Sequence, residues 1–264
     1  MQLMREKKPA VFSAGAGVGL LGGLIGLGGA EFRLPLLIGV FRFQALEAVI
    51  LNKAISLVVV LAALPVRSFF VPFGAVLVWW PAILNLLAGS LIGAWIGAGW
   101  ATRLQSQHLY RVIAVLLLLI ALVLLLGHNP HSTGRPLLQA SWLIPVGLLV
   151  GLGIGIVASL LGVAGGELLI PTFVLLFGAD IKMAGSLSLA VSLPTMLIGF
   201  ARYSRDRSFA VLGQHQPFVL WMALGLLVGT ATGGVLLGWV SATVLLPLLA
   251  TILVLSAIKL WRHV

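Results

Sequence analysis

Four stretches of this chain, residues 9–30, 68–102, 136–166 and 208–258, contain no Lys, Arg, Asp or Glu. A helix that crosses the hydrocarbon core of a bilayer needs about 20 apolar residues. The first three stretches each accommodate one such helix. The fourth accommodates two, divided near Ser241 and Ala242. A soluble protein of this length would carry about a quarter charged residues to hold its surface in water, whereas here 8% are charged and 61% are hydrophobic. The expected fold class is therefore an all-α polytopic membrane protein.

Apolar segments predict eight spans, at about 10–29, 45–66, 73–101, 108–127, 141–161, 184–201, 216–239 and 243–261. Two more apolar pieces, 32–41 and 168–178, are too short to cross. They read as re-entrant or broken-helix segments, a form of backbone tolerated at membrane depth only inside protein or beside a wet cavity. Arg5, Lys7 and Lys8 before the first span raise a cleavable signal peptide. A retained segment is expected instead, because the run leads into a motif that recurs.

The net charge of +10 comes from 16 basic and 6 acidic residues. The basic residues lie mostly between apolar runs rather than along one stripe, so a nucleic-acid partner is not expected. With the N-terminus inside, ten basic residues fall on the inner side and only Arg42, Arg103 and Lys182 on the outer. The positive-inside rule then places both termini in the cytoplasm. Trp79, Trp80, Trp100, Trp142, Trp239 and Trp261 lie near predicted span ends, as interfacial tryptophans do. The absence of cysteine excludes disulfides and Cys-ligated metal.

Shifting the chain by 136 residues reveals an internal repeat. Gly15, Gly17, Gly19, Leu24, Gly26, Gly29, Glu31 and Pro35 meet identical residues at Gly151, Gly153, Gly155, Leu160, Gly162, Gly165, Glu167 and Pro171. Fourteen identities fall within positions 15–57 without a gap. The expected organisation is a first transmembrane repeat over 1–135 and a second over 136–264, each of four spans. An even number of spans per unit would make the repeats parallel, and an odd number inverted.

Each copy of the motif, Gly26 to Pro35 and Gly162 to Pro171, should break a helix at its glycines and start a short half-helix at its Glu. The first backbone N–H groups of a helix lack intrahelical partners and carry partial positive charge, so they favour anions. Two such starts could face one central site. The candidate site residues are Gly28, Gly29, Glu31, Pro35, Gly165, Gly166, Glu167 and Pro171, joined by Asn52, Lys53, Ser56, Ser188 and Ser192 from the following spans. Glu31 and Glu167 have two readings. A carboxylate at a helix start complements the dipole, but an intramembrane carboxylate is costly and commonly serves function. As proton carriers they would stop repelling an anionic substrate when protonated. Lys53 either snorkels or pairs with Glu47, or else attracts anions; its repeat counterpart is Leu189. Asn52, Ser56, Ser188 and Ser192 either line a cavity or join helices. Arg33 could pair with Glu31 or reach the surface.

Gly89, Gly93 and Gly97, and likewise Gly225, Gly229 and Gly233, form small-residue helix faces. These suit close packing within the chain and also a homo-oligomer. No metal or cofactor site is expected: His128 and His131 form an isolated loop pair, and no nucleotide-binding or paired-histidine motif occurs.

The paired glycine-rich motif ending in Pro, inside an eight-span duplicated chain, resembles the TauE/SafE family of sulfite exporters. It departs from a fully glycine pattern at Ala30 and Ala164. The resemblance implies a permease of the bacterial inner membrane that moves sulfite, thiosulfate or an organosulfonate as a secondary transporter rather than an enzyme. The expected partners are a small anionic substrate and the lipid bilayer. The alternatives are a divalent cation permease using the paired Glu residues, and a membrane protein that does not transport.

Overall fold

The structure, a computed structural model, describes residues 8–25, 29–70, 72–126, 140–236, 251–258 and 261. In chain order the helices are α1 (Lys8–Ile25), α2 (Ala30–Gly39), α3 (Ala45–Phe70), α4 (Phe73–Leu77), α5 (Trp80–Arg103), α6 (Ser106–Leu126), α7 (Ala140–Leu161), α8 (Gly166–Phe177), α9 (Ile181–Tyr203), α10 (Ala210–Gln214) and α11 (Gln216–Leu236), with a 3-10 turn at Arg207–Phe209. Residues 251–258 are also helical, and no strand occurs among the described residues.

Five segments are long and apolar enough to cross a membrane: Ala45–Pro65, Trp80–Arg103, Trp142–Leu161, Met183–Tyr203 and Gln216–Gly233. They correspond to five of the eight expected spans. Of the other three, the first is α1, of 18 residues, and the apolar part of α6, Ser106–Leu122, is shorter than those five segments. The last, 243–261, lies mostly outside the described residues. The expected span 73–101 is divided, because the chain turns at Val78 and Trp79 between α4 and α5. Pro81 opens α5, where its missing N–H costs no helical bond. Leu84, Ile92, Leu119, Leu149, Leu220 and Val228 are exposed on the outside of the bundle. An outer surface of this kind suits acyl chains and would be costly in water.

The closest helix pairs join the two halves of the sequence. α1 packs on α11, and α5 packs on α7. In the first pair, Gly15 and Gly19 lie against the backbone at Met222 and Leu226, while Gly225 and Gly229 lie against Phe12 and Ala16. In the second, Gly89, Gly93 and Gly97 meet Leu148, Leu152 and Ile156, while Gly151 and Gly155 meet Leu86 and Ser90. These glycines let backbone touch backbone, which is how helices associate where water offers no hydrophobic drive. Gly89, Gly93, Gly97, Gly225 and Gly229 are thus in contact with helices of the same chain.

This packing makes a direct prediction. A β-carbon at Gly93 would land on the Leu152 carbonyl, whereas one at Gly153 meets nothing within 4 Å. Gly93→Val should lower stability by about 1–3 kcal/mol or more through overpacking. Gly153→Ala should leave stability unchanged or slightly raised, since Ala favours helix over Gly. Thermal unfolding of the two variants in detergent checks the contrast.

Candidate functional site

Both glycine motifs break the helix as the sequence predicts. Gly29 (φ 69°) and Gly165 (φ 82°) adopt the left-handed conformation immediately before α2 and α8, a geometry that costs glycine little. At each the chain doubles back. Gly29 comes to rest against Val18 and Gly22, and Gly165 against Ala158 and Ile154. Glu31 and Glu167 are each the second residue of their short helix. Pro35 and Pro171 stand sixth, one turn later than the first-turn position expected from the sequence. There the missing N–H withholds the donor that would otherwise close onto the Glu31 and Glu167 carbonyls. Gly28 lies outside the described residues.

The two glutamates, 136 positions apart in sequence, interact directly with one another, and both sense the charge of Arg33. Glu31 is fully buried and Glu167 nearly so. Apart from each other, neither oxygen of Glu31 nor Oε2 of Glu167 has a hydrogen-bond partner among the described residues. Buried polar atoms are normally satisfied by protein or water. A group of unsatisfied ones marks a place where a ligand, proton or water would be stabilised.

Arg33 neither pairs with Glu31 by hydrogen bond nor reaches the surface. It is fully buried and held against α3. Its Nε donates to Asn52 Oδ1 (2.6 Å), and its Nη2 donates to the Asn52 carbonyl (2.8 Å) and to Ser56 Oγ (2.5 Å). Asn52 is fixed in turn, because Nδ2 donates to the carbonyls of Ala30 (3.1 Å) and Leu161 (2.9 Å). Ser56 Oγ faces the Gly162 carbonyl at 3.5 Å. One asparagine therefore ties the start of α2 to the end of α7, so both helix breaks and the guanidinium share one frame. The remaining nitrogen, Arg33 Nη1, has no hydrogen-bond partner among the described residues.

Lys53 does not snorkel or pair with Glu47. It is fully buried, and its Nζ donates to Ser159 Oγ at 3.3 Å. Glu47 instead accepts from the Gln44 backbone N–H. The second-half serines do not mirror the first-half cluster. Ser188 donates to the Gly185 carbonyl of its own helix, and Ser192 is buried within α9. Gly166 faces open space, with nothing within 4 Å of an added Cβ. No group of three or more His, Cys, Asp or Glu that could hold a metal occurs among the described residues. His128 and His131 lie outside them.

The candidate site thus has two carboxyls, one from each half, and two cations, Arg33 and Lys53, from the first half alone. The repeat comparison passed over Arg33, whose counterpart is Leu169. A usable signal was present: a guanidinium in the first turn of a short apolar helix, beside a carboxylate, with no polar face to occupy. Ser159 and Tyr203, whose hydroxyl donates to the Ser159 carbonyl (2.8 Å), carried no such signal.

No curated protein and no solved structure matches the chain. Residues 11–260, which contain both helix breaks and every residue of the site, match the family described as Sulfite exporter TauE/SafE, and the chain belongs to that family.

Proposed function

We propose that this chain is a secondary carrier that exports a small sulfur-containing anion such as sulfite, thiosulfate or an organosulfonate across the bacterial inner membrane. The family and the apolar helices make it a multi-pass membrane transporter. The observation that carries the finer reading is the buried Arg33, with Nε and Nη2 anchored and Nη1 left over beside two carboxyls. A guanidinium oriented in this way offers a preformed donor to an oxyanion, at low ordering cost when the ligand arrives. Asn52 and Ser56 act as positioning residues that aim it. The backbone N–H groups at the starts of α2 and α8 add positive potential at the same place.

Glu31 and Glu167 are the coupling residues of this proposal. Two facing carboxyls from different halves can take up or release a proton as the anion enters or leaves, changing the local charge by one unit. The moving parts are the short helices with α3 and α9, working against a scaffold of the glycine-packed pairs α1–α11 and α5–α7. Rocking of residues 1–135 against 136–264 would shear those pairs, whose backbones are in contact. Both termini lie in the cytoplasm in this reading, as the basic residues require.

The unpartnered carboxylate oxygens also favour a second reading, a divalent cation permease, which the adjacent guanidinium opposes by like-charge repulsion. Competition separates the two. Uptake of labelled sulfite by proteoliposomes should be inhibited by thiosulfate and sulfonates and be indifferent to divalent metal ions. Inhibition by the metals alone would reverse the assignment.

A further inference from the structure

Asn52 and Lys53 are adjacent on α3, so their side chains leave the helix about 100° apart. Asn52 serves the Arg33 cluster, whereas Lys53 enters a separate buried cluster between α3, α7 and α9. Its Nζ lies 3.3 Å from Ser159 Oγ and 5.9 Å from the centre of the Tyr203 ring. The Tyr203 hydroxyl is turned away, donating to the Ser159 carbonyl. Space for the ammonium exists because residue 199 is glycine. A Cβ there would lie 2.8 Å from Nζ and 2.9 Å from Ser159 Oγ.

Lys53 has no carboxylate beside it among the described residues. Glu47 accepts from the Gln44 N–H, Asp180 from the Met183 N–H, and Asp206 from the Ser208 N–H. Glu31 and Glu167 face each other. Among the described residues the polar group nearest to its Nζ is the Ser159 hydroxyl. An ammonium has three donors and the hydroxyl of Ser159 uses one. A buried charge is normally paired, so a site that presents an unpaired one is built to receive the opposite charge from outside.

We propose that Lys53, with Ser159 and the room left by Gly199, forms a second station for the transported oxyanion, one helix face away from Arg33. The two stations share the last turn of α7, where the Leu161 carbonyl holds Asn52 and the Ser159 hydroxyl holds Lys53. Two weak stations in sequence release an ion more readily than one deep one. The inference rests on the anion-transport reading above.

The test is the concentration dependence of labelled sulfite flux in proteoliposomes holding the full chain, for the parent, Lys53→Met and Lys53→Arg. Loss of a charge-assisted contact should raise KM about tenfold or more in Lys53→Met, with a smaller change in maximal rate. Lys53→Arg should recover most of the affinity. Gly199→Ala leaves the lysine in place but presses on Nζ and Ser159 Oγ. It should shift KM in the same direction, and it serves if the lysine variant fails to insert. Parental KM in an inserted Lys53→Met or Gly199→Ala protein overturns the second station alone. A parent that moves no sulfur oxyanion overturns the transport reading beneath it.

Discussion

Arg33→Met should reduce sulfite flux by about 100-fold, close to the background of empty liposomes. A hydrogen bond to a charged group is worth about 1.5–3 kcal/mol, and the upper part of that range corresponds to this loss. The variant removes the guanidinium that, among the described residues, sits with Glu31 and Glu167, so an entering anion would face carboxyls without that compensating charge. It also leaves Asn52 Oδ1 without the donor it has at 2.6 Å, at a cost of about 1–3 kcal/mol in stability. Arg33→Lys separates the two effects. A lysine keeps the charge but lacks the planar fork, so one ammonium cannot hold Asn52 and Ser56 while also presenting a donor to the ligand. Flux in Arg33→Lys should therefore stay well below parental even where thermal unfolding shows that stability has recovered. Parental flux in either inserted variant would remove Arg33 from the site.

The second large effect is expected at the carboxyl pair. The double variant Glu31→Gln, Glu167→Gln preserves shape but cannot exchange a proton. It should still insert, because two amides can hydrogen-bond to each other in place of the carboxyl pair and neutral amides are cheaper to bury than carboxylates. Stimulation of sulfite flux by a pH gradient should disappear entirely. Each single variant should show a reduced response, since the two groups interact and act as one unit. A double variant that still responds fully to the gradient would place the coupling proton elsewhere.

Much of this arrangement is written locally and could be read from the sequence. Charge-free runs mark helices because the bilayer excludes charge. Gly29 and Gly165 mark breaks because left-handed backbone favours glycine. Glu31 and Glu167 follow from their place in the paired motif. The features that were not legible depend on distant partners. Arg33 is oriented by Asn52, 19 residues away, and Asn52 by Leu161, 109 residues away, and no local pattern encodes either distance. The glycine faces of α5 and α11 were visible, but their partners α7 and α1 lie in the other half of the chain. Ser188 and Ser192 inherited a role from repeat position alone. The structure does not mirror that position, because Asn52 has work at the α7 end that Ser188, bonded to its own helix at Gly185, does not share. The division at Val78 and Trp79 was hidden because both sides of it are equally apolar.

The central claim is that the chain carries a sulfur oxyanion through a site coupled to protons. Flux of sulfur-labelled sulfite into proteoliposomes containing the purified protein, with and without an imposed pH gradient, tests it most directly. Saturable uptake that changes with the gradient and is lost in Arg33→Met is the expected result. Flux no greater than in empty liposomes, for sulfite, thiosulfate and sulfonates alike, would contradict it.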